Sequence, residues 1–206
     1  NVILYYNNGS FVLQKKTFPK NIVTDIDIAF PIVHGTNVED GGLQGYLQTI
    51  GIPFVGSDVY ASVVGQDKVY MKDIWNEAKL PVTKYVWFYD VDYKQDSEEV
   101  LKRVNKLKYP LIAKPACSGS SVGIAVCSNE EEIIEAIDDA ITYDKKILVE
   151  EVVENLKEVN IAVMGNYEHQ TVSEIEEVLS ANKFLTYVDK YIGDAKGKLK
   201  GGKEAL

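Results

Sequence analysis

Pro110-Leu111-Ile112-Ala113-Lys114-Pro115-Ala116-Cys117-Ser118-Gly119-Ser120-Ser121-Val122-Gly123 is the stretch whose reading decides the fold. Leu111-Ile112-Ala113 is a short apolar run that predicts a buried strand, and Lys114 stands at its end. Small residues run from Ala116 to Ser121, and Val122 to Cys127 predicts a second strand, so the segment reads as a hairpin with a polar tip. Small residues let a backbone approach an oxyanion, and their N–H groups, with the hydroxyls of Ser118, Ser120 and Ser121, can surround a phosphate. Lys114 would supply the cation. The same residues also suit an ordinary Gly/Ser turn beside a surface lysine. A P-loop is excluded, because the lysine precedes the loop instead of closing it.

Composition narrows the partners. Twenty-two basic against 31 acidic residues leave a net charge of −9, which argues against a general nucleic-acid or anionic-membrane binder. Any phosphate site must therefore place its cations locally. At 206 residues, 46% of them hydrophobic, the chain has enough apolar material for one large domain or two small ones. No apolar run approaches the roughly 20 residues of a membrane span. Cys117 and Cys127 are too few for a disulfide framework, and Asn1 to Tyr6 lack the basic start of a signal peptide, so the expectation is a soluble, cytoplasmic protein. Cys117 lies in the candidate loop, but no His/Asp arrangement near it in sequence marks it as a nucleophile.

Outward from the hairpin, the chain alternates strand and helix signals. Val2 to Tyr6 and Ser10 to Leu13 flank Asn7-Asn8-Gly9, a hairpin signal. Ile26 to Val33 predicts a parallel strand covered on both faces, ending at His34-Gly35, where open α/β sheets place ligands. A helix from about Leu43 to Ile50, stopped by Gly51, leads to a strand at Pro53-Phe54-Val55. Helices are predicted over Ser57 to Val64, Asp67 to Ala78, Ser97 to Lys106 (Ser97 the candidate N-cap) and Asn129 to Ala140. Pro81 to Phe88 and Lys146 to Val153 read as strands. From Lys190 the glycine- and lysine-rich tail has no apolar period and reads as a mobile loop or frayed end.

Lys114-Pro115-x-x-x-Gly119-Ser120-Ser121-Val122-Gly123 resembles the phosphate-covering loop of the D-alanine–D-alanine ligases, a branch of the ATP-grasp enzymes. A second segment agrees: His34-Gly35-Thr36-Asn37-Val38-Glu39-Asp40-Gly41-Gly42-Leu43-Gln44-Gly45 is similar to that family's His-Gly-x-x-Gly-Glu-Asp-Gly-x-Leu-Gln-Gly. The resemblance covers roughly residues 22 to 195. It implies an α/β (α+β) fold, ATP-grasp-like, with residues 1–64 forming part of a preceding Rossmann-like α/β substrate domain. Residues 65–206 would form the central ATP-grasp subdomain and the start of its C-terminal portion.

The chemistry it implies is ATP-dependent joining of two D-alanines through an acyl phosphate, for peptidoglycan precursors. Such a reaction needs cations and N–H donors on the phosphates, an acidic residue for the ribose and a strand edge for adenine. By resemblance, Lys68 and Lys114 meet the phosphates with Ser120 and Ser121, the Glu150-Glu151-Val152-Val153 backbone meets adenine, and Glu158 binds the ribose. His34 and Glu39 belong to the substrate side, His34 near the first D-amino acid. Phe184 to Tyr191 resembles the mobile loop that closes over the substrates, where Lys190 would meet the γ-phosphate and Tyr191 would close the second-substrate pocket with Ser120. Without the resemblance, Lys68 reads as a solvated helix lysine, His34 as a turn residue and Glu158 as part of a charged loop.

Three departures bear on this reading. Leu185 replaces a tyrosine that hydrogen-bonds the serine at Ser120, Asn37-Val38 replaces a glycine pair, and Asn160 replaces an acidic or small residue. Relatives that add D-serine or D-lactate differ in the same loop, so the second substrate stays open. No Ser-x-Glu motif precedes Leu13, and the family's Mg²⁺-holding Asp and Glu-x-Asn do not follow Tyr191, so no residue is assigned to metal. The chain is therefore expected to be the central portion of a longer ligase, to bind nucleotide weakly or not at all alone, and to turn over nothing. Family members are commonly dimers, so a homodimer is admitted. A non-catalytic nucleotide-binding module is the reading from another class.

Overall fold

Asn8 and Gly9 take positive φ values of 48° and 94°, the left-handed pair that a two-residue hairpin turn requires and Asn-Gly supplies at little cost. They join β1 (Val2–Asn7) to β2 (Ser10–Lys15), and β2 also pairs with β3 (Ile22–Ile26) in an antiparallel sheet ordered β1-β2-β3. The computed structural model describes residues 2–18, 20–119 and 121–178. The expectations for Ser120, the closing loop with Lys190 and Tyr191, and the lysine-rich tail lie outside the described residues.

The covered strand expected over Ile26 to Val33 does not form. One parallel bridge, Ala29 to Phe54, remains of it and of the strand at Pro53 to Val55. Pro31 has no N–H to extend a ladder, and Phe30 and Ile32 are exposed at 68% and 76%.

Three helices follow: α1 (Gly42–Ile50), α2 (Val59–Gln66) and α3 (Lys68–Glu77). Gly51, at φ 81°, stops α1 by returning its N–H to Leu47 and Gln48. Asp58 and Asp67 cap α2 and α3. Gly41, at φ 90°, brings α1 against α2: a Cβ there would stand 2.9 Å from Val63 Cγ2.

The second half is built on β4 (Tyr85–Tyr89), β5 (Leu111–Pro115), β6 (Ala125–Cys127) and β7 (Lys146–Glu151), an antiparallel sheet ordered β4-β7-β5-β6. The central hairpin forms as read, Leu111 opposite Cys127, but its second strand starts at Ala125, not Val122. Gly123, at φ 66°, still belongs to the turn. Helices α5 (Ser97–Val104) and α6 (Glu130–Ile141) form where expected, although the cap of α5 is Asp96 rather than Ser97. An unexpected short helix, α4 (Asp90–Gln95), precedes α5; Asp92 accepts the Tyr89 N–H at 3.0 Å and fixes its start.

Strand alternation divides the sheet's two faces. Phe88, Leu111, Ala113, Ile147 and Val149 pack with Val100, Val104, Ile133 and Ile137 in the main core. Leu148, Tyr85, Trp87 and Ala116 pack with Val69 of α3. Polar side chains on that second face, among them Lys114, Lys146 and Glu150, therefore lie between sheet and α3. Beyond β7, β8 (Val159–Asn160) pairs with β11 (Glu176–Glu177) and β9 (Val163–Gly165) with β10 (Gln170–Val172). No described helix is long and apolar enough to cross a membrane.

Candidate functional site

Lys114 is the one charged residue of β5, and its neighbours explain its place. Its ammonium bonds the carboxylate of Glu150, which stands on the adjacent strand two places from its ladder partner Leu148. Lys72 of α3 reaches the other carboxylate oxygen at 2.5 Å, and the Thr83 hydroxyl donates to that oxygen at 2.6 Å. Burial alone would raise the Glu150 carboxyl, but Lys114, Lys72 and Thr83 outweigh it and hold it below the usual carboxylate range.

Lys68 opens α3 and grips the root of the loop. Its main-chain N–H donates to Ala116 O at 3.0 Å, and its Nζ donates to Ala116 O at 3.2 Å and Ser118 O at 2.5 Å. Gln66 adds a bond to Cys117 O at 2.7 Å. Desolvation, then repulsion from Lys114, lowers the Lys68 pKa. An ammonium held down in that way gains from a nearby anion. Lys72 and Lys114 share the Glu150 carboxylate, while the Lys68 ammonium bonds loop carbonyls with Asp144 and Asp67 nearby, so positive charge is placed beside the small-residue loop of the −9 chain.

A second buried pair fixes the frame. Asp67 Oδ2 accepts from Lys146 Nζ at 2.5 Å, and the Lys146 ammonium lies 3.9 Å from the Tyr70 ring centroid. Desolvation of the Cys117 sulfur and the carboxylates of Asp144 and Asp67 push that thiol up to about 12. Cys117 is therefore protonated at neutral pH, which agrees with its reading as a non-nucleophile.

The His34 segment forms a turn. Glu39 accepts the Gly35 N–H at 2.6 Å and stands 3.6 Å from His34 Nδ1, both side chains being exposed. Asp40 accepts N–H bonds from Asn37 and Gly42, and the Asn37 bond chiefly lowers its pKa. Asn37 adopts φ 68°, a conformation asparagine tolerates better than most residues. Glu39 and Gln44 line a cavity of about 330 Å³ together with Phe54, Ser57, Ser62 and Gln66. Gln66 thus touches both this cavity and the loop carrying Cys117.

Of the expected site residues, Lys68, Lys114 and Glu150 converge. Glu150 contributes its side chain to the lysine cluster, and its backbone lies in ladders with both Tyr85 and Ile112. Glu151 turns to the other side, accepting the Lys108 N–H at 2.9 Å, and Val153 is half exposed just past β7. Glu158 stands before β8, its carbonyl taken by the Val178 N–H. Ser121 takes φ 60° in the turn. Lys72, Thr83, Asp67 and Gln66 were not foreseen. The signal for Lys72 was its i+4 spacing from Lys68, which puts both on one face of α3; Thr83 gave none, since it reaches Glu150 across 67 residues. Among the described residues no group of three His, Cys, Asp or Glu side chains could hold a metal ion.

Residues 6–57 match a family model described as D-ala D-ala ligase N-terminus, and residues 74–201 one described as D-ala D-ala ligase C-terminus. The chain is 43% identical over 185 residues to a D-alanine–D-alanine ligase of Natranaerobius thermophilus, covering 89% of this chain and 50% of that protein. It is 42% identical over 195 residues to the Bacillus velezensis ligase of the same name, covering 91% of this chain and 54% of that protein. Among solved structures, the D-alanine–D-alanine ligase from Helicobacter pylori superposes with a TM-score of 0.72 at 30% identity, covering 89% of this chain and 55% of that one. The VanG D-Ala:D-Ser ligase from Enterococcus faecalis gives 0.72 at 33% identity, covering 82% and 48%. The chain spans about half the length of the curated relatives it matches.

Proposed function

This chain belongs to the D-alanine–D-alanine ligase family, and from that membership we propose that the protein it comes from joins two D-alanines at the expense of ATP, in the cytoplasm, for peptidoglycan precursors. The observation that carries the reading is the pair of neighbouring ammonium groups at the root of the small-residue loop, Lys68 on the carbonyls of Ala116 and Ser118 and Lys114 on Glu150, close enough for Lys114 to repel Lys68. Such a set suits a polyphosphate, whose negative charge it would neutralise.

ATP supplies the phosphoryl group that turns a D-alanine carboxylate into an acyl phosphate. The chain's own residues bind and orient. Lys68 and Lys114 hold the phosphates, Ser120 and Ser121 donate from the loop, and the backbone from Glu150 and Glu151 to Val153 takes the adenine edge, with Glu158 on the ribose. His34 and Glu39 orient the first amino acid from the cavity mouth. Lys190 meets the γ-phosphate, and Tyr191 closes the second-substrate pocket with Ser120. In this reading residues 1–64 belong to the substrate domain and 65–206 to the ATP-grasp portion. Mg²⁺ accompanies ATP in the proposed reaction, with ligands not assigned among the described residues. A homodimer is part of the proposal.

The likeness to a D-Ala:D-Ser ligase favours a second reading, in which D-serine replaces the second D-alanine. Phosphate release by the protein with ATP and D-alanine alone, compared with D-alanine plus D-serine, separates the two. Release with neither overturns both.

A further inference from the structure

Glu150 has two cations, and they differ in kind. Lys72 rises from α3 and is 9% exposed at its side chain, Glu150 is 8% exposed, and Lys114 reaches in from β5 with 21% exposed. Lys72 also donates to the Thr83 hydroxyl at 2.9 Å, and that hydroxyl donates to Glu150 at 2.6 Å. Lys72, Thr83 and Glu150 thus close a triangle of their own, with Lys114 attached from outside it.

We propose that Lys72 and Thr83 are positioning residues that keep Glu150 anchored in the interior, so that Lys114 can leave it for an anionic ligand. The proposal rests on the reading that Lys114 meets nucleotide phosphates. A carboxylate this buried, stripped of every cation, is strongly disfavoured or takes up a proton. With Lys72 resident, the transfer of Lys114 to a phosphate leaves Glu150 one ion pair and one hydroxyl bond.

The other groups around Glu150 do not replace Lys72. Lys68 on α3 donates to loop carbonyls. Tyr85 on β4 directs its hydroxyl to Asp73 and accepts from Asn76, and its ring lies 5.2 Å below the Lys72 ammonium. Glu151 on β7 points to Lys108.

The test is a carbon-13 titration of the glutamate carboxyls in the Lys114→Met protein, which imitates the departure of Lys114, and in the Lys72→Met/Lys114→Met double variant. In Lys114→Met, Glu150 is expected to titrate no higher than an ordinary glutamate, with amide shifts unchanged away from the site. In the double variant the midpoint should move upward by about two pH units or more. A Glu150 midpoint raised above the ordinary glutamate range in Lys114→Met alone overturns the proposal, and this arm does not depend on the double variant folding.

Proton uptake on ATP binding, measured by calorimetry in two buffers of different ionisation enthalpy, gives a readout that a merely structural lysine would not move. The unaltered protein should take up no proton at Glu150, and Lys72→Met up to one per nucleotide. Equal uptake by both overturns the proposal. If no form of the protein binds ATP, the functional reading falls, while the titration still decides what Lys72 does.

Discussion

Asp67 carries two roles on two oxygens. Oδ1 caps α3 through the N–H groups of Val69 and Tyr70, and Oδ2 holds the buried Lys146. Asp67→Asn keeps the cap and leaves the ammonium of Lys146 without its partner, so urea denaturation should show a loss of about 3 kcal/mol. Asp67→Ala should cost about 1 kcal/mol more, the value of the cap. Asp67 and Glu150 share a pH signature. Desolvation raises each carboxyl, their lysine and hydrogen-bond partners more than reverse it, and both fold with lowered pKa values. Their contribution is therefore complete above the ordinary carboxylate range, near pH 4, and is lost as pH falls through the depressed folded values. Lys146 works at the other end: desolvation is outweighed by Asp67, its pKa is raised, and its contribution is lost only as pH rises past the ordinary lysine value of about 10.4. A stability profile by pH should thus fall on both flanks, and Asp67→Asn should flatten it. Cys117 gives a separate check. With its thiol at about 12, it should react with iodoacetamide at pH 7.5 far more slowly than a free cysteine, as followed by mass spectrometry.

At the scale of elements, the β5–β6 hairpin is held by what surrounds its turn. Gly123 closes that turn at φ 66°, and a Cβ there would stand 2.6 Å from the Tyr143 ring and 2.9 Å from Pro115. Gly123→Ala should destabilise by about 1–3 kcal/mol, from strain in the left-handed region and overpacking, and should weaken ATP binding by moving the loop root; thermal melting and calorimetry read the two effects. This hairpin was legible because an apolar run, a lysine and a small-residue turn follow one another in sequence. The start of β6 was not, because Val122 is β-prone yet spent in the turn. The strand expected at Ile26 to Val33 failed for a related reason: its apolar run is real, but Pro31 removes a donor and one bridge to Phe54 is what forms. Helix α4 lies in a six-residue stretch too short to show a period, and its start depends on Asp92 reaching back to the Tyr89 N–H.

At the scale of the molecule, the two motifs at Lys114 and His34 pointed to one family, and the matches over residues 6–57 and 74–201 bear that out. The mixed α and β architecture was equally legible. What stayed hidden were partnerships across long separations: Lys72 and Thr83 with Glu150, Asp67 with Lys146, Gln66 with Cys117. Each joins α3 or its flanks to the sheet face, or to the loop, that packs against it, and no local pattern records such a contact. They nevertheless explain why Lys114 ends an apolar strand, since its charge is answered by Glu150 of the neighbouring strand. The central claim is that this face of the sheet grips phosphates through Lys114. Calorimetric titration of ATP into the whole protein this chain comes from, and into its Lys114→Ala variant, tests it most directly. The account predicts measurable binding that the substitution weakens at least tenfold, about 1.4 kcal/mol, with the fold retained. Equal affinity in the two proteins, or no binding by the unaltered one, would contradict it.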